Sequence, residues 1–403
     1  MPRKTKTENN QVQQLVIQFE EIVENLGIPA NYDFSKLKKL YLPNNPLTDL
    51  PLFLPSKTKA VNASRKRFNE IMNGKPKDKL PKIDVDSLVY YAGNFTIKSD
   101  MDYGLPDEFD GQVFDCLMML ISKEYVEKSK VFKGYRIDEN IIMNELIRNG
   151  LYKRGGKLYN RIKYSLNRMF HTSYIINEKS LGQKGEINYI EILYKLVDGI
   201  YRKGKKFVDN NGGLQYLDHT IVMPHSSIIS SIEEKKYFIV ANEKRYALNR
   251  YLSKVIYDKL HVVVYAQIFS NYKEIFIAQK FNSYPYFAVG YEKFCTKTGI
   301  PTLTESELRP SKVKTQLESY LAELREQKVI VDMETEKKNN SDDINLVFIF
   351  TWEFIDRVFE MANKSMNSQG IDKITNEMIQ AYYSKMEKQI QSKEIKDRIR
   401  ACC

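Results

Sequence analysis

An α+β fold is predicted by three observations on this 403-residue chain. Apolar residues recur at helical spacing in several stretches and alternate at strand spacing in others. The two kinds of stretch follow one another in a similar order in two halves of the sequence. That order (helix, strand, helix, turn, helix, hairpin) belongs to the winged helix-turn-helix. The predicted architecture is two tandem winged helix-turn-helix domains with a helical N-terminal extension and a helical C-terminal tail. The expected divisions are 1–83 for an N-terminal helix and basic linker arm, 84–215 and 216–360 for the two domains, and 361–403 for the tail.

The elements follow in chain order. Val12, Leu15, Val16, Phe19, Ile22, Val23 and Leu26 form one apolar stripe, which predicts a helix over 11–27 ending at Gly27. Such a helix docks on its own domain or serves dimerisation. Between Lys57 and Lys82 lie nine Lys or Arg against two acids, Glu70 and Asp78, which fits a basic arm on phosphates or a solvated linker. A strand is expected over 87–97, and an apolar helix over 112–122 (Val113, Leu117, Leu120, Ile121). A short strand at 135–137 leads to Asp138, a suitable N-cap for a helix reaching Arg148. After the turn between Asn149-Gly150 and Gly155-Gly156 comes a long basic helix. A hairpin is expected next, with strands at 173–177 and 187–194.

The second half repeats the pattern without residue identity. A long helix is predicted over 245–267, a shorter one over 287–298, a loop over 299–310 and a helix over 311–328. Strands at 329–335 and 344–350 flank a charged turn. Beyond Ile371, Tyr382, Met386 and Ile390 share one face of a predicted peripheral helix.

Composition bounds the function. A hydrophobic fraction of 42% and a charged fraction of 28% describe a globular chain. No apolar run approaches the roughly 20 residues a membrane helix needs, and the N-terminus lacks the apolar core of a secretory signal. Cys116, Cys295, Cys402 and Cys403 give no pair at metal spacing and no disulfide framework, so a cytoplasmic protein without membrane partner, metal or cofactor is expected. The net charge is +11, with 27 Tyr and 20 Phe but 4 His. Such an excess draws polyanions, nucleic acid above all, although a basic cytosolic protein with no such partner has the same composition. The placement of the charge has to decide.

In "GGKLYNRIKYSLNRMFHT" (Gly155 to Thr172), Leu158, Ile162, Leu166 and Met169 make a core-facing stripe. Lys157, Arg161, Tyr164 and Arg168 make another, with Asn160 and Asn167 beside it and no acid anywhere. One anchored face and one cationic, hydrogen-bonding face suit a groove-entering helix. Arg pairs with guanine O6 and N7, and Asn with adenine N6 and N7. Lys153, Arg154 and Lys157, near the helix start, suit phosphates. In the second helix Val313, Leu317, Tyr320, Leu321 and Leu324 point inward. Arg309, Ser311, Lys312, Lys314, Thr315, Gln316 and Ser319 offer contacts near its start, before Glu318, Glu323 and Glu326 turn it acidic. At the hairpin tips, Lys179, Lys184, Lys337 and Lys338 reach backbone or simply solvate a turn.

Catalytic readings fare worse. "GIYRKGKK" (Gly199 to Lys206) matches G-x-x-x-x-G-K, but Lys206 replaces the Ser or Thr that holds magnesium, and a turn follows instead of a helix. His171, His219, His225 and His261 have no His-x-His spacing, so the tyrosines lack the metal partner of a nicking enzyme. His225 reads as a loop residue and His171 as a charge at a helix C-terminus. Ser226-Ser227 lacks the glycine frame of a nucleophile elbow. No catalytic residue is assigned, and a non-enzymatic protein is expected.

The chain resembles the iteron-binding plasmid replication initiators of the tandem winged-helix type, often called replication initiator protein A. "LPLFLPSKTK" (Leu50 to Lys59), "DGQVFDCLMMLI" (Asp110 to Ile121) leading into Gly155 to Asn177, and "KKYFIVANEKRYALNRYLSKVIYDKL" (Lys235 to Leu260) carry the resemblance, over about residues 50 to 350. It implies binding to repeated double-stranded origin sites, origin opening, a switch between monomer and homodimer, and contact with the host initiator and replicative helicase. The DNA contacts it implies fall on Lys157 to Arg168 and Ser311 to Ser319. A winged-helix transcriptional repressor is the alternative within DNA binding, since it could share the fold, charge and motif features above. A nicking or nucleotide-hydrolysing replication enzyme is the alternative from another class.

Overall fold

In a computed structural model the described residues are 23–25, 28, 32–43, 50–55, 59–73, 75, 79, 88–92, 94–100, 102–131, 133–137, 139–148, 150, 152–181, 187–207, 214–270, 276–277, 284–306, 309–337 and 343–369. Two compact units divide the chain: Met1–Asp33 with Lys59–Glu234, and Phe34–Thr58 with Lys235–Cys403. The backbone therefore passes between units three times. Strand β1 (Val23–Asn25) belongs to the first, strand β2 (Lys39–Pro43) to the second, and helix α1 (Lys59–Met72) to the first again. The residues expected to form one N-terminal extension are thus shared between both units.

Two corrections follow at once. Val23–Asn25, expected at the end of a helix, is a strand in parallel register with Gly134–Arg136, so sheet pairing overrides the local helical pattern. The remainder of that predicted helix up to Ile22 lies outside the described residues, as does the Asp138 cap. The basic arm is in large part helix α1, docked by Val61 (1% exposed) and Phe68.

The first unit continues through β3 (Val89–Ala92), β4 (Phe95–Lys98), α2 (Glu108–Lys128), β5 (Gly134–Ile137), α3 (Glu139–Arg148) and α4 (Gly156–His171). It ends with β6 (Ser173–Leu181), β7 (Ile187–Tyr194), β8 (Val197–Phe207), β9 (Leu214–Pro224) and α5 (Ser226–Glu233). Helix α2 starts on a capping box: the Asp107 carboxylate accepts from the Phe109 and Asp110 amides, and Asp110 accepts from the Asp107 amide at 2.7 Å. It is longer than the expected 112–122 because it is buried almost all round, which erases the amphipathic signal at its ends. Leu158, Ile162, Leu166 and Met169 of α4 are at most 6% exposed and face α2, α3 and β8, each contributing about 1.5–3 kcal/mol by burial.

Two four-stranded sheets complete this unit, ordered β3-β4-β6-β7 and β1-β5-β9-β8. The hairpin that follows α4, expected over 173–177 and 187–194, is present as β6–β7 but does not share a sheet with β5. It pairs instead with β4, because Tyr174 and Ile176 fall in register with Ile97 and Phe95 and bury on the same face. The antiparallel partner of β5 is β9, within the next hairpin. Helix α5 begins at His225, whose Nδ1 accepts from the Ser227 amide, so this residue is an N-cap.

In the second unit β10 (Tyr237–Ala241) pairs antiparallel with β2. Helices α6 (Asn242–Tyr246) and α7 (Tyr251–Ser270) replace the single helix expected over 245–267. The break buries Leu248 completely in the intervening turn. Strands β11 (Phe276–Ile277) and β12 (Pro285–Gly290) precede α8 (Tyr291–Thr298). The helix expected over 287–298 is thus strand up to Gly290, since its aromatic and β-branched residues pair with Asn345–Ile349. Helix α9 (Leu303–Ser306) and a tight turn, Pro310–Lys312, lead into α10 (Val313–Glu326). Strands β13 (Ile330–Lys337) and β14 (Ile344–Phe350) and helix α11 (Trp352–Gln369) close the unit. The sheet order is β11-β12-β14-β13. Gly299 ends α8 at φ +74, where a Cβ would stand 3.2 Å from Pro51 and 3.3 Å from Leu54. The segment 50–55 is seated through that close approach. The predicted helix beyond Ile371 lies outside the described residues.

Candidate nucleic-acid interface

Helix α4 begins without a side-chain cap at Gly155 and without an acid in its first turn. Its first amides are therefore open to an anion, and the helix dipole adds to the field there. Lys153, Arg154, Lys157 and Asn160 are all exposed at this end. None of the three cations has an ion-pair partner among the described residues. A Cβ at Gly155 or Gly156 would meet nothing within 4 Å, so the approach to the helix start is clear.

The rest of the expected contact stripe is turned inward. Arg168 is buried: its Nη1 lies 2.6 Å from the Asp110 carboxylate and its Nε donates to the Tyr103 carbonyl. Arg161 is half-buried with its guanidinium 3.9 Å from the Phe109 ring centroid and 5.6 Å from that of Tyr152. Tyr164 packs on Phe68 and Tyr103 and donates to the Asp102 carbonyl. Burial pushes its hydroxyl up to about 12. Asn167 donates from Nδ2 to the Tyr103 hydroxyl and accepts from Arg202. The physical reason is a cover that a helical wheel cannot anticipate: the segment 99–107 and α1 lie over this side of α4. Arg65 of α1 pairs with Asp107 at 3.1 Å, and Arg67 with Asp102 at 3.2 Å.

The covered side is a buried charge network. Burial alone would raise Asp107, but Arg168, Arg161 and Arg65 outweigh it and hold this carboxyl low. At Asp110 burial wins over Arg168 and the carboxyl is raised. The acids of "LPDEFD" (Leu105 to Asp110) are the sequence signal for this: an acid-rich helix start is the natural counterweight to a basic helix without acids. His171, the last residue of α4, stacks on Tyr103 with centroids 4.6 Å apart and sits 2.9 Å from Asp100.

Two residues outside the expected set lie along α4 beside Asn167. Lys163 is half-buried beside Tyr159, and Arg202 of β8 reaches across to the helix. Arg202 belongs to the "GIYRKGKK" stretch rejected as a phosphate loop, which is strand in the structure. Lys184 lies outside the described residues.

In the second unit Arg309, Ser311, Lys312, Thr315 and Ser319 are exposed around the start of α10. Lys314 instead pairs with Asp332 at 2.7 Å, and Gln316 accepts from the Tyr291 hydroxyl at 3.4 Å. Arg325 shares Asp332 at 2.9 Å. Burial raises the Asp332 carboxyl, but the hydrogen bond and charge of Lys314, with Arg325, outweigh it and leave it low. Among the described residues no group of three His, Cys, Asp or Glu is placed to hold a metal ion, and no helix is long and apolar enough to cross a membrane.

No protein-family model matches this chain, and no curated protein matches it. Among solved structures, this chain is similar to two crystal structures of domains 2 and 3 of RctB. One, of selenomethionine derivatives, is 11% identical with a TM-score of 0.39, over 67% of this chain and 90% of that one. The other is 10% identical with a TM-score of 0.37, over 65% of this chain and 88% of that one.

Proposed function

We propose that the chain is a non-catalytic, sequence-specific double-stranded DNA-binding protein that acts as a replication initiator on repeated origin sites. The observation that carries the reading is the start of α4, where Lys153, Arg154 and Lys157 stand exposed and unpaired around an uncapped helix N-terminus. Phosphates suit such an end, and Asn160 beside them can address a base edge. The start of α10, with Arg309, Ser311, Lys312, Thr315 and Ser319, plays the same part in the second unit.

Topology supports a winged-helix reading of both units. In each, a helix, a strand and two or more further helices precede a hairpin whose second strand pairs with the first strand: β5-β9-β8 in one and β12-β14-β13 in the other. The wing of the first unit is then β8–β9, with β6–β7 inserted ahead of it. The initiator role rests on the resemblance drawn from the sequence, together with its implied homodimer and host partners.

The test is a salt series on a labelled duplex with Lys153→Ala, Arg154→Ala and Lys157→Ala combined. Each lost phosphate contact flattens the log–log salt dependence by about 0.9, so the triple variant loses between two and three units of slope. Wild-type protein that fails to bind duplex at low salt, or a triple variant with unchanged slope, refutes the assignment. A footprint over direct repeats beside an AT-rich tract fits an initiator, whereas one over a lone promoter palindrome fits a repressor.

A further inference from the structure

In the first unit Arg202 of β8 lies against α4 at Lys163 and Asn167, away from the helix start, and neither cation is ion-paired to a carboxylate among the described residues. The Arg202 guanidinium donates from Nη1 to Asn167 Oδ1 at 2.9 Å and from Nη2 to the Lys163 carbonyl at 3.4 Å. The Lys163 ammonium lies 5.6 Å from the Tyr159 ring centroid. Neither cation is in an ion pair among the described residues, and Arg202 Nε is a buried donor without a partner. The acid that acts on both is Glu139, which is itself buried and accepts a hydrogen bond from Thr220. Burial, and then the charge of Arg202, hold the Lys163 ammonium below its ordinary value; burial does the same to Arg202. The strand continues through Lys203, Lys205 and Lys206 with no acid before Phe207, so the sequence around the pair is positive.

Two partly desolvated cations where β8 crosses α4 raise the free energy of the unliganded protein, and an anion beside them lowers it. Guanidinium has five N–H donors, of which the two bonds above use two, and its planar fork matches phosphate oxygens. We infer that Lys163 and Arg202 form a phosphate-binding notch between α4 and β8, which seats one backbone phosphodiester of the bound nucleic acid. Asn167 serves as a positioning residue that holds the guanidinium against the helix. The notch rests on the DNA-binding reading above and extends it to a contact on a second element.

The experiment measures binding of full-length protein to a fluorescein-labelled duplex across a chloride series. The variants are Lys163→Met, Arg202→Met, the double variant and Arg202→Lys, each checked for an unchanged thermal midpoint. One shared phosphate predicts that the double variant loses about 0.9 of slope, not twice that, which is about an eightfold weaker affinity at about 0.1 M salt. Arg202→Lys keeps the charge and retains the wild-type slope. A double variant with the wild-type slope overturns the notch while wild-type binding leaves the DNA-binding reading intact. Arg202→Lys flattening as much as Arg202→Met also overturns it, since the residue then acts through Asn167 alone. Wild-type protein that binds no duplex removes both. Inorganic phosphate at matched ionic strength is the second arm: it leaves the Arg202 Nε–H resonance unmoved if the site is built for a polymer backbone. A shift with phosphate alone reassigns the notch to the free anion and overturns the nucleic-acid source.

Discussion

Replacing Arg168 by Met separates a structural role from a DNA-reading one. The guanidinium side chain is 7% exposed and stands 2.6 Å from an Asp110 side chain that is 1% exposed. At an effective dielectric of about 20 the gross attraction is about 6 kcal/mol, most of it offset by the cost of removing both charges from water. What the variant loses is the compensation of a carboxylate that stays buried. Removing one partner of such a pair costs about 3–5 kcal/mol, against a total stability of about 5–15 kcal/mol for an ordinary domain. Arg65 and Arg161 still face Asp107 but not Asp110, so the network cannot rebalance.

The assay is urea unfolding followed by a duplex titration well below the midpoint. The expected result is a midpoint lowered by the equivalent of about 3–5 kcal/mol, with DNA affinity per folded molecule close to wild type. Adding Asp110→Asn recovers part of the loss, because the amide oxygen still accepts from the Asp107 amide while the buried charge is gone. A base-reading arginine behaves oppositely: the variant keeps its midpoint and loses about 1–3 kcal/mol of binding with relaxed specificity. That outcome refutes the buried network as the role of Arg168.

Two other perturbations probe the second unit. His261 is fully buried and its imidazole is pushed down to about 3 by burial, from 6.5 in the open chain, so the unfolded chain takes up a proton that the folded one refuses. Its contribution is harmless above about pH 6.5 and destabilises as pH falls toward 3. The stability of wild type relative to His261→Leu therefore falls by up to about 1.4 kcal/mol per pH unit on acidification from pH 6.5, and a difference constant from pH 7 to 5 refutes this. Gly299→Ala places a Cβ at φ +74 and 3.2 Å from Pro51, which costs about 1–3 kcal/mol in the urea midpoint. An unchanged midpoint means that segment 50–55 is not held there.

The apolar stripe of α4 was legible residue by residue, since Leu158, Ile162, Leu166 and Met169 need only 3.6-residue periodicity to be placed. The same periodicity put Lys157 and Arg168 on one polar face, and it had no means of distinguishing them. Along the helix axis they part company: Lys157 projects at the open end, and Arg168 lies under the segment 99–107. That segment and α1 are brought to α4 by tertiary packing from 60 to 100 positions upstream in the sequence, which no local pattern encodes. Strand pairing was illegible for a similar reason. The β6–β7 hairpin was visible, but its pairing with β4 depends on matching Phe95 and Ile97 across the sheet.

Availability, more than charge count, decides what a basic residue does here. In α4 the cations at the start are unpaired, while Arg168 near the end is neutralised by Asp110. In α10 Lys312 at the start is in no ion pair among the described residues, whereas Lys314, also in the first turn, and Arg325 near the end share Asp332. A helix dipole favours anions at its start, so cations placed there oppose the dipole and destabilise the free helix by about 0.3–1 kcal/mol each. Packing offers no compensation for Lys153, Lys157 or Lys312, because all three are exposed. Folding alone gives no reason for the arrangement in either unit. On the DNA-binding proposal, a phosphate at either helix start would meet the cations there.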